Sequence, residues 1–255
     1  MRPLARALAS GALALALAGC PDEPPKPPPD AGVVPLPAPA DAAVTEVLRL
    51  EPVNPIPEVG CAGGPGWLGL APCRRGGAVY AQAHVPVGIN GSLARTSAAE
   101  RARLAAAEAA GLVDAEGRVL LRGAEVPQVH RCDDALYALA RLPAEAPALP
   151  ECTDAVDEPA VAPDGCPEWT RGVAWRADGA WVGVAQVDGI KSPSLARTSA
   201  QGRARNAVAA ALESTLIRRE AAVRALVTQR SLPVSGAEVA QCAGSVWAKV
   251  TVREE

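Results

Sequence analysis

The chain has no phenylalanine, one methionine and two tyrosines, and aromatics make up only 3% of its 255 residues. A core without Phe must be built from Ala, Val, Leu and a few Trp. Such side chains bury little area each, at about 25 cal/mol per Å². The core is therefore thin and gains from covalent staples. Histidine occurs twice, as His84 and His130. No G-x-S-x-G, P-loop, H-E-x-x-H or EF-hand pattern occurs, which removes the corresponding hydrolase, nucleotide, zinc-protease and calcium classes. No C-x-x-C occurs either. The residues nominate no catalytic set, no metal ligands and no cofactor. No Lys/Arg block stands out, so nucleic acid is not an expected partner.

The N-terminus carries a clear signal. Met1-Arg2-Pro3-Leu4-Ala5-Arg6 holds two arginines and no acid, and Ala7 to Ala16 is a short apolar run. A membrane-spanning helix needs roughly 20 residues. The layout is that of an export signal. It ends in Leu17-Ala18-Gly19-Cys20, which resembles the lipobox of bacterial lipoproteins. The resemblance implies a signal peptide over 1–19, diacylglycerol on the Cys20 thiol, and acylation of its freed amine. Two or more acyl chains anchor stably. The membrane is then a partner through the lipid. Pro21 follows Cys20 where an Asp would favour inner-membrane retention, which resembles outer-membrane sorting. The expected location is the cell envelope, at the outer membrane and facing the periplasm. Losing Arg2 and Arg6 leaves 23 basic against 28 acidic residues, near −5.

Residues 20–57 hold the lipidated Cys and a Pro-rich stretch, including Pro21 to Pro29 and Val34 to Pro39. Proline fixes φ and lacks an N–H, so this segment is expected to be a disordered tether sampling polyproline II. Six cysteines follow: Cys61, Cys73, Cys132, Cys152, Cys166 and Cys242. An even number in an exported chain reads as disulfides. Grouping Cys152 with the second half gives three per half, which requires a bridge between halves. The expected pairing is Cys61–Cys73, Cys152–Cys166 and Cys132–Cys242.

Beyond the tether the chain repeats itself. Ser92-Leu93-Ala94-Arg95-Thr96-Ser97 to Arg103 recurs as Ser194-Leu195-Ala196-Arg197-Thr198-Ser199 to Arg205. The twelve-residue segments differ only at Ala99/Gln201 and Glu100/Gly202. The same offset pairs Trp67 with Trp169, each in a Pro-x-Trp context. Gly123-Ala124-Glu125-Val126 matches Gly236-Ala237-Glu238-Val239, and Cys132 with Tyr137 matches Cys242 with Trp247. Two copies are too few for a solenoid. They form two tandem domains or one pseudo-symmetric domain. The expected organisation is a first repeat over 58–145, a linker over 146–165 and a second repeat over 166–255.

Each copy reads alike. Residues 79–85 and 181–187 alternate as strands. A helix follows, with Ser92 or Ser194 as candidate N-cap and Gly111 as the stop of the first. The second helix continues through Val208, Leu212 and Leu216, with further helix over 220–229. Each copy closes on a strand, 136–142 or 246–252. The expected class is α+β: two tandem strand–helix–strand repeats, helices packed on antiparallel sheet. This order of Pro-x-Trp, alternating strand, Ala/Arg-rich helix and aromatic-Ala strand resembles the LPP-twenty lipoprotein family, over about residues 65–142 and 167–252. The resemblance implies a small helix-on-sheet envelope domain and carries over no catalytic residues.

His84 is expected on a strand's outer face and His130 in a loop. Arg95 and Arg197 are the sharpest repeated polar residues. They read either as an anion site at a helix N-terminus or as solvent-facing arginines beside Ala94 and Ala98. Trp67, Trp169, Tyr137 and Trp247 read as core or as a groove lining. Two functions stay open. One is a non-enzymatic envelope lipoprotein with a structural or interaction role and a protein partner. The other is a periplasmic small-ligand-binding or hydrolytic domain with its site between the copies. An Arg- or His-lined pocket at that junction favours the second, and packing without a pocket favours the first.

Overall fold

A computed structural model describes residues 61, 64–88, 90–158, 161–219, 222–227 and 232–253. The expected signal peptide, Cys20 and the Pro-rich tether lie outside the described residues. The described residues fall in one compact unit.

Copy one supplies β1 (Cys73–Arg75), β2 (Ala78–Pro86), α1 (Gly91–Ala109), β3 (Arg118–Arg122), β4 (Glu125–Cys132) and β5 (Ala135–Pro143). Copy two supplies β6 (Ala174–Ala177), β7 (Ala180–Val187), α2 (Pro193–Leu212), β8 (Glu213–Arg219), β9 (Ala222–Val227), β10 (Val234–Cys242) and β11 (Ser245–Arg253). Eight strands form one sheet in the order β1-β2-β5-β4-β6-β7-β11-β10, and β3-β8-β9 form another. Every pairing between these strands is antiparallel. The expected α+β class with tandem strand–helix–strand repeats is thus overturned. Eleven strands against two helices among the described residues make the protein mostly β. The four expected strands exist within β2, β5, β7 and β11, but hairpins surround them.

Those hairpins have a local cause. The two-residue turns Gly76-Gly77, Asp178-Gly179 and Ala243-Gly244 have positive φ at both positions. This matches the right-handed twist of the flanking strands. Pairing also corrects the repeat alignment. Gln128 faces Leu139 and Glu238 faces Lys249. Both cross-strand pairs lie 110 residues apart, like Cys132 and Cys242. The match of 123–128 with 236–241 is therefore out of register by about three residues.

The helix caps stand two residues before the expected Ser92 and Ser194. Asn90 caps α1 by accepting the Leu93 N–H at 3.0 Å, and α2 follows Ser192 with Pro193 in its first turn. The expected end of α1 is met: Gly111 has φ +71, its N–H bonds the Glu108 carbonyl, and the Leu112 N–H bonds that of Ala107. That pair of bonds is a Schellman stop. The expected helix beyond Leu212 is instead the β8–β9 hairpin. Positions four apart share a face in helices and in strands alike, so Leu212 and Leu216 fit both. Alternation decides: Ser214 and Leu216 are buried while their neighbours are not.

Two layers of core flank the large sheet. Val79, Ala81 and Val85 of β2 pack with Ala98, Ala102 and Ala106 of α1. Both helices also contact strands of the small sheet. On the opposite side, Trp67, Tyr80, Leu139 and Val156 form a cluster under copy one. Trp175, Val182, Val184 and Trp247 form its counterpart under copy two.

Three disulfides staple these layers: Cys61–Cys132, Cys73–Cys152 and Cys166–Cys242. All six expected cysteines are used, but none of the expected pairs forms. The error was in grouping Cys152. Residues 150–152 lie along β1, with Arg74 N–H donating to Pro150 O at 2.9 Å and Cys152 N–H to Arg74 O at 3.0 Å. Cys152 therefore belongs with copy one, and no bridge between copies is needed.

Candidate functional site

The two copies meet where β4 joins β6. The join is narrow: Val126 pairs with Ala174, and the Val173 N–H donates to Val126 O at 2.9 Å. A Cβ on Gly172 would stand 2.5 Å from Pro127 O. A second seam is wider, with β3 pairing β8 over five residues.

Arg95 crosses this junction from the second turn of α1. Its guanidinium donates to Thr170 O and Gly172 O, each at 2.5 Å, and lies 4.9 Å from the centre of the Trp247 ring. Only 5% of Arg95 is exposed. Burial pushes its pKa down to about 9, so it stays charged at neutral pH. Arg197, its equivalent, is exposed. Neighbouring groups of copy two also reach the α1 terminus. Asp188 accepts the Ser92 N–H at 3.0 Å, and Arg203 donates to Ser92 Oγ at 2.6 Å. Asp188 is itself held by the Ser245 hydroxyl at 2.5 Å. Of the two readings of these arginines, solvent exposure holds for Arg197 but not for Arg95, and the acid at this helix N-terminus is the protein's own Asp188, with Asn90 beside it. That satisfies free N–H groups and complements the helix dipole.

Beside these contacts, between the helices, lies a cleft of about 340 Å³. Arg95, Arg103 and Arg203 reach it with one acid, Glu100. Its other walls include Ala99, Ala207, Ala210 and Val227, with the polar Thr96, Gln186 and Asn206 beside them. Arg103 is 6% exposed and its Nε has no hydrogen-bond partner; the Arg95 Nε likewise has none. Burial lowers the Arg103 pKa, opposed by the Glu100 charge. Burial raises the Glu100 carboxyl, against Arg103 and the Ala225 N–H. The cleft therefore has an excess of two basic side chains, with walls that are largely but not wholly apolar. No histidine is among its lining residues.

The other expected residues lie elsewhere. His84 is exposed on β2 and stacks on Tyr137, with ring centres 5.1 Å apart. His130 is in β4, not a loop, and pairs across from Tyr137. Burial lowers its pKa. Among the described residues no group of three or more His, Cys, Asp or Glu side chains gathers as a metal site. Trp67 and Trp247 are buried. Trp169 is half-buried in an open groove on the far side of β11. Asp188 and Glu100 escape the sequence reading because neither is matched between the copies, and Arg103 because its match, Arg205, gives no sign that one is buried and the other exposed. The signal was available in Asp188, which follows its strand where copy one has Pro86.

No family model matches the chain, and comparison with curated proteins and with solved structures gives no match. The LPP-twenty resemblance rests on the residues that carry it.

Proposed function

We propose that this is an envelope lipoprotein, anchored through Cys20, that holds a small amphipathic anion between its two copies. The observation that carries the reading is Arg103, a buried cation with an unpaired Nε lining a largely apolar cleft. A buried charge is costly unless paired. Glu100 offsets one of the three arginines and leaves two positive charges for a ligand. A carboxylate or phosphate head meets Arg103 and Arg203, and a short apolar body lies against Ala99, Ala207 and Ala210. On this reading the protein retains the ligand, with the arginines holding its head and the small apolar side chains its body. The Arg-lined junction turns the choice toward ligand binding and away from a purely structural role. The lipobox-like Leu17 to Cys20, the Pro-rich tether and the LPP-twenty resemblance support the envelope setting, at the outer membrane.

Thermal unfolding of the Cys20→Ser chain with phosphate, acetate, hexanoate and dodecanoate tests this. At a hundredfold excess over Kd a ligand adds about 2.7 kcal/mol, which raises Tm by roughly 5–10 °C. Hexanoate is expected to do so saturably, and Arg103→Met to abolish the shift. No shift with any anion, or an unchanged shift in Arg103→Met, overturns the reading.

A further inference from the structure

The repeat leaves one of its joining surfaces unused. Copy one joins copy two through the outer edge of β4, the arginines of α1 and Ser92. Copy two carries the same parts at its far end: β10, Arg197, Arg205 and Ser194. Among the described residues no strand pairs with the outer side of β10. Four equivalent positions change together. Ser92, Arg95, Arg103 and Val129 are all at least nine-tenths buried, whereas Ser194, Arg197, Arg205 and Val239 are all exposed. Val129 is 4% exposed and Val239, at the same register position, 38%.

We propose that β10 with the arginine face of α2 docks the edge hairpin of a similar repeat on another protein. The internal junction states the chemistry that such a hairpin must bring. It needs a leading turn with free carbonyls, as Thr170 and Gly172 offer Arg95, and a carboxylate at its end, as Asp188 offers Ser92. The edge of β10 supplies main-chain groups and nine residues of length, with Glu238 as its single charged side chain. Native edges of this length are usually blunted by charge, proline or a covering segment. Strand addition to such an edge is a common recognition mode.

A second copy of this chain does not fit the surface. The β1 edge that copy one would offer is covered by residues 150–152 and clamped by Cys73–Cys152. Pro86 stands there in place of Asp188. Two β10 edges brought face to face would bring Ser194 no counterpart of Asp188, which follows β7 and not β10. The occupant is therefore a different chain that brings negative charge. This inference does not depend on the cleft ligand.

The probe is a synthetic hairpin of residues 167–188, which carries β6, β7, the two carbonyls and Asp188, and contains no cysteine. It is cyclised, and its strand pairing is verified by NMR before mixing. It is titrated into the ¹⁵N-labelled Cys20→Ser chain. Expected are saturable amide shifts confined to β10 and the first three turns of α2. Arg197→Glu with Arg205→Glu is expected to weaken binding by about tenfold or more, as loss of desolvated charge contacts does. An Asp188→Asn hairpin is expected to bind less tightly. The proposal is overturned if the paired hairpin gives no saturable shift, or if the double variant binds it equally well.

Discussion

The substitution Gly183→Ala isolates how α2 sits on its sheet. A Cβ at Gly183 would stand 2.2 Å from Ala204 O and 2.5 Å from Val208 Cγ2, where ordinary contact begins at 3.4 Å. The helix backbone must therefore retreat by about 1 Å, and overpacking of this kind costs typically 1–3 kcal/mol. Because backbone must move, the upper end applies. A loss of about 3 kcal/mol lowers Tm by roughly 6–12 °C in a chain of this size. Copy one supplies the control. Its equivalent positions are Ala81, Ala102 and Ala106, all buried and packed together. Copy one thus sets Ala against Ala where copy two sets Gly against Val208. Val208→Ala alone opens a void and costs about 2 kcal/mol. The double variant restores the copy-one combination and is expected to fall short of the summed losses by about 1 kcal/mol or more, as contacting residues do. Gly202→Ala, with nothing within 4 Å of the new Cβ, is expected to stabilise α2 by about 0.5–1 kcal/mol. Urea unfolding followed by tryptophan fluorescence measures all four. A neutral Gly183→Ala, or strict additivity in the double variant, refutes the packing argument.

Two further outcomes test the staples and the buried polar contacts. Peptide mapping of the oxidised protein should recover Cys61–Cys132, Cys73–Cys152 and Cys166–Cys242; replacing Cys73 and Cys152 by Ala opens a loop with a sequence separation of 79 and should cost about 4 kcal/mol on chain-entropy grounds. Gln128 accepts from Trp67 Nε1 at 2.6 Å and donates to the carbonyls of Val156 and Glu158, so Gln128→Ala should cost about 1–3 kcal/mol and shift Trp67 near-UV dichroism, whereas Glu238→Ala, at the equivalent exposed place, should stay within about 0.5 kcal/mol.

Much of the local structure was legible. Alternation marked 79–85, 136–142, 181–187 and 246–252 because one face of each strand is apolar. Gly111 marked a helix end because only glycine takes its positive φ without strain. An even cysteine count marked the staples. What failed had physical causes. Ala-rich helices carry almost no amphipathic contrast, so the turn into β8 after Leu212 left no break in the pattern. Two-residue hairpins need only a Gly or Asp pair, and such pairs are common in this composition. The hairpin partners β1, β4, β6 and β10 escape notice for that reason, and together with β3, β8 and β9 they hold the β content that sets the class. Disulfide pairing depends on where a linker lies, and nothing near Cys152 announces that residues 150–152 run along β1.

The site was hidden for a different reason. Matched polar groups in identical segments point to a site only if a repeated motif carries a repeated role. Position in the array breaks that premise. Arg95 and Arg197 have the same neighbours in sequence, yet one is buried against the next copy and the other meets solvent. What copy one needs at the junction is therefore found at the places where the copies differ. Within the twelve-residue motif these are Ala99/Gln201 and Glu100/Gly202. Ala99 and Glu100 both line the cleft. A glutamine at 99 would extend into the space that the small Cβ leaves open, and a glycine at 100 would remove the only acid there. Asp188 against Pro86 is a third such difference, and it secures the end of the same helix. In a tandem repeat whose copies pack head to tail, shared residues build the unit, and the departures mark what happens between units.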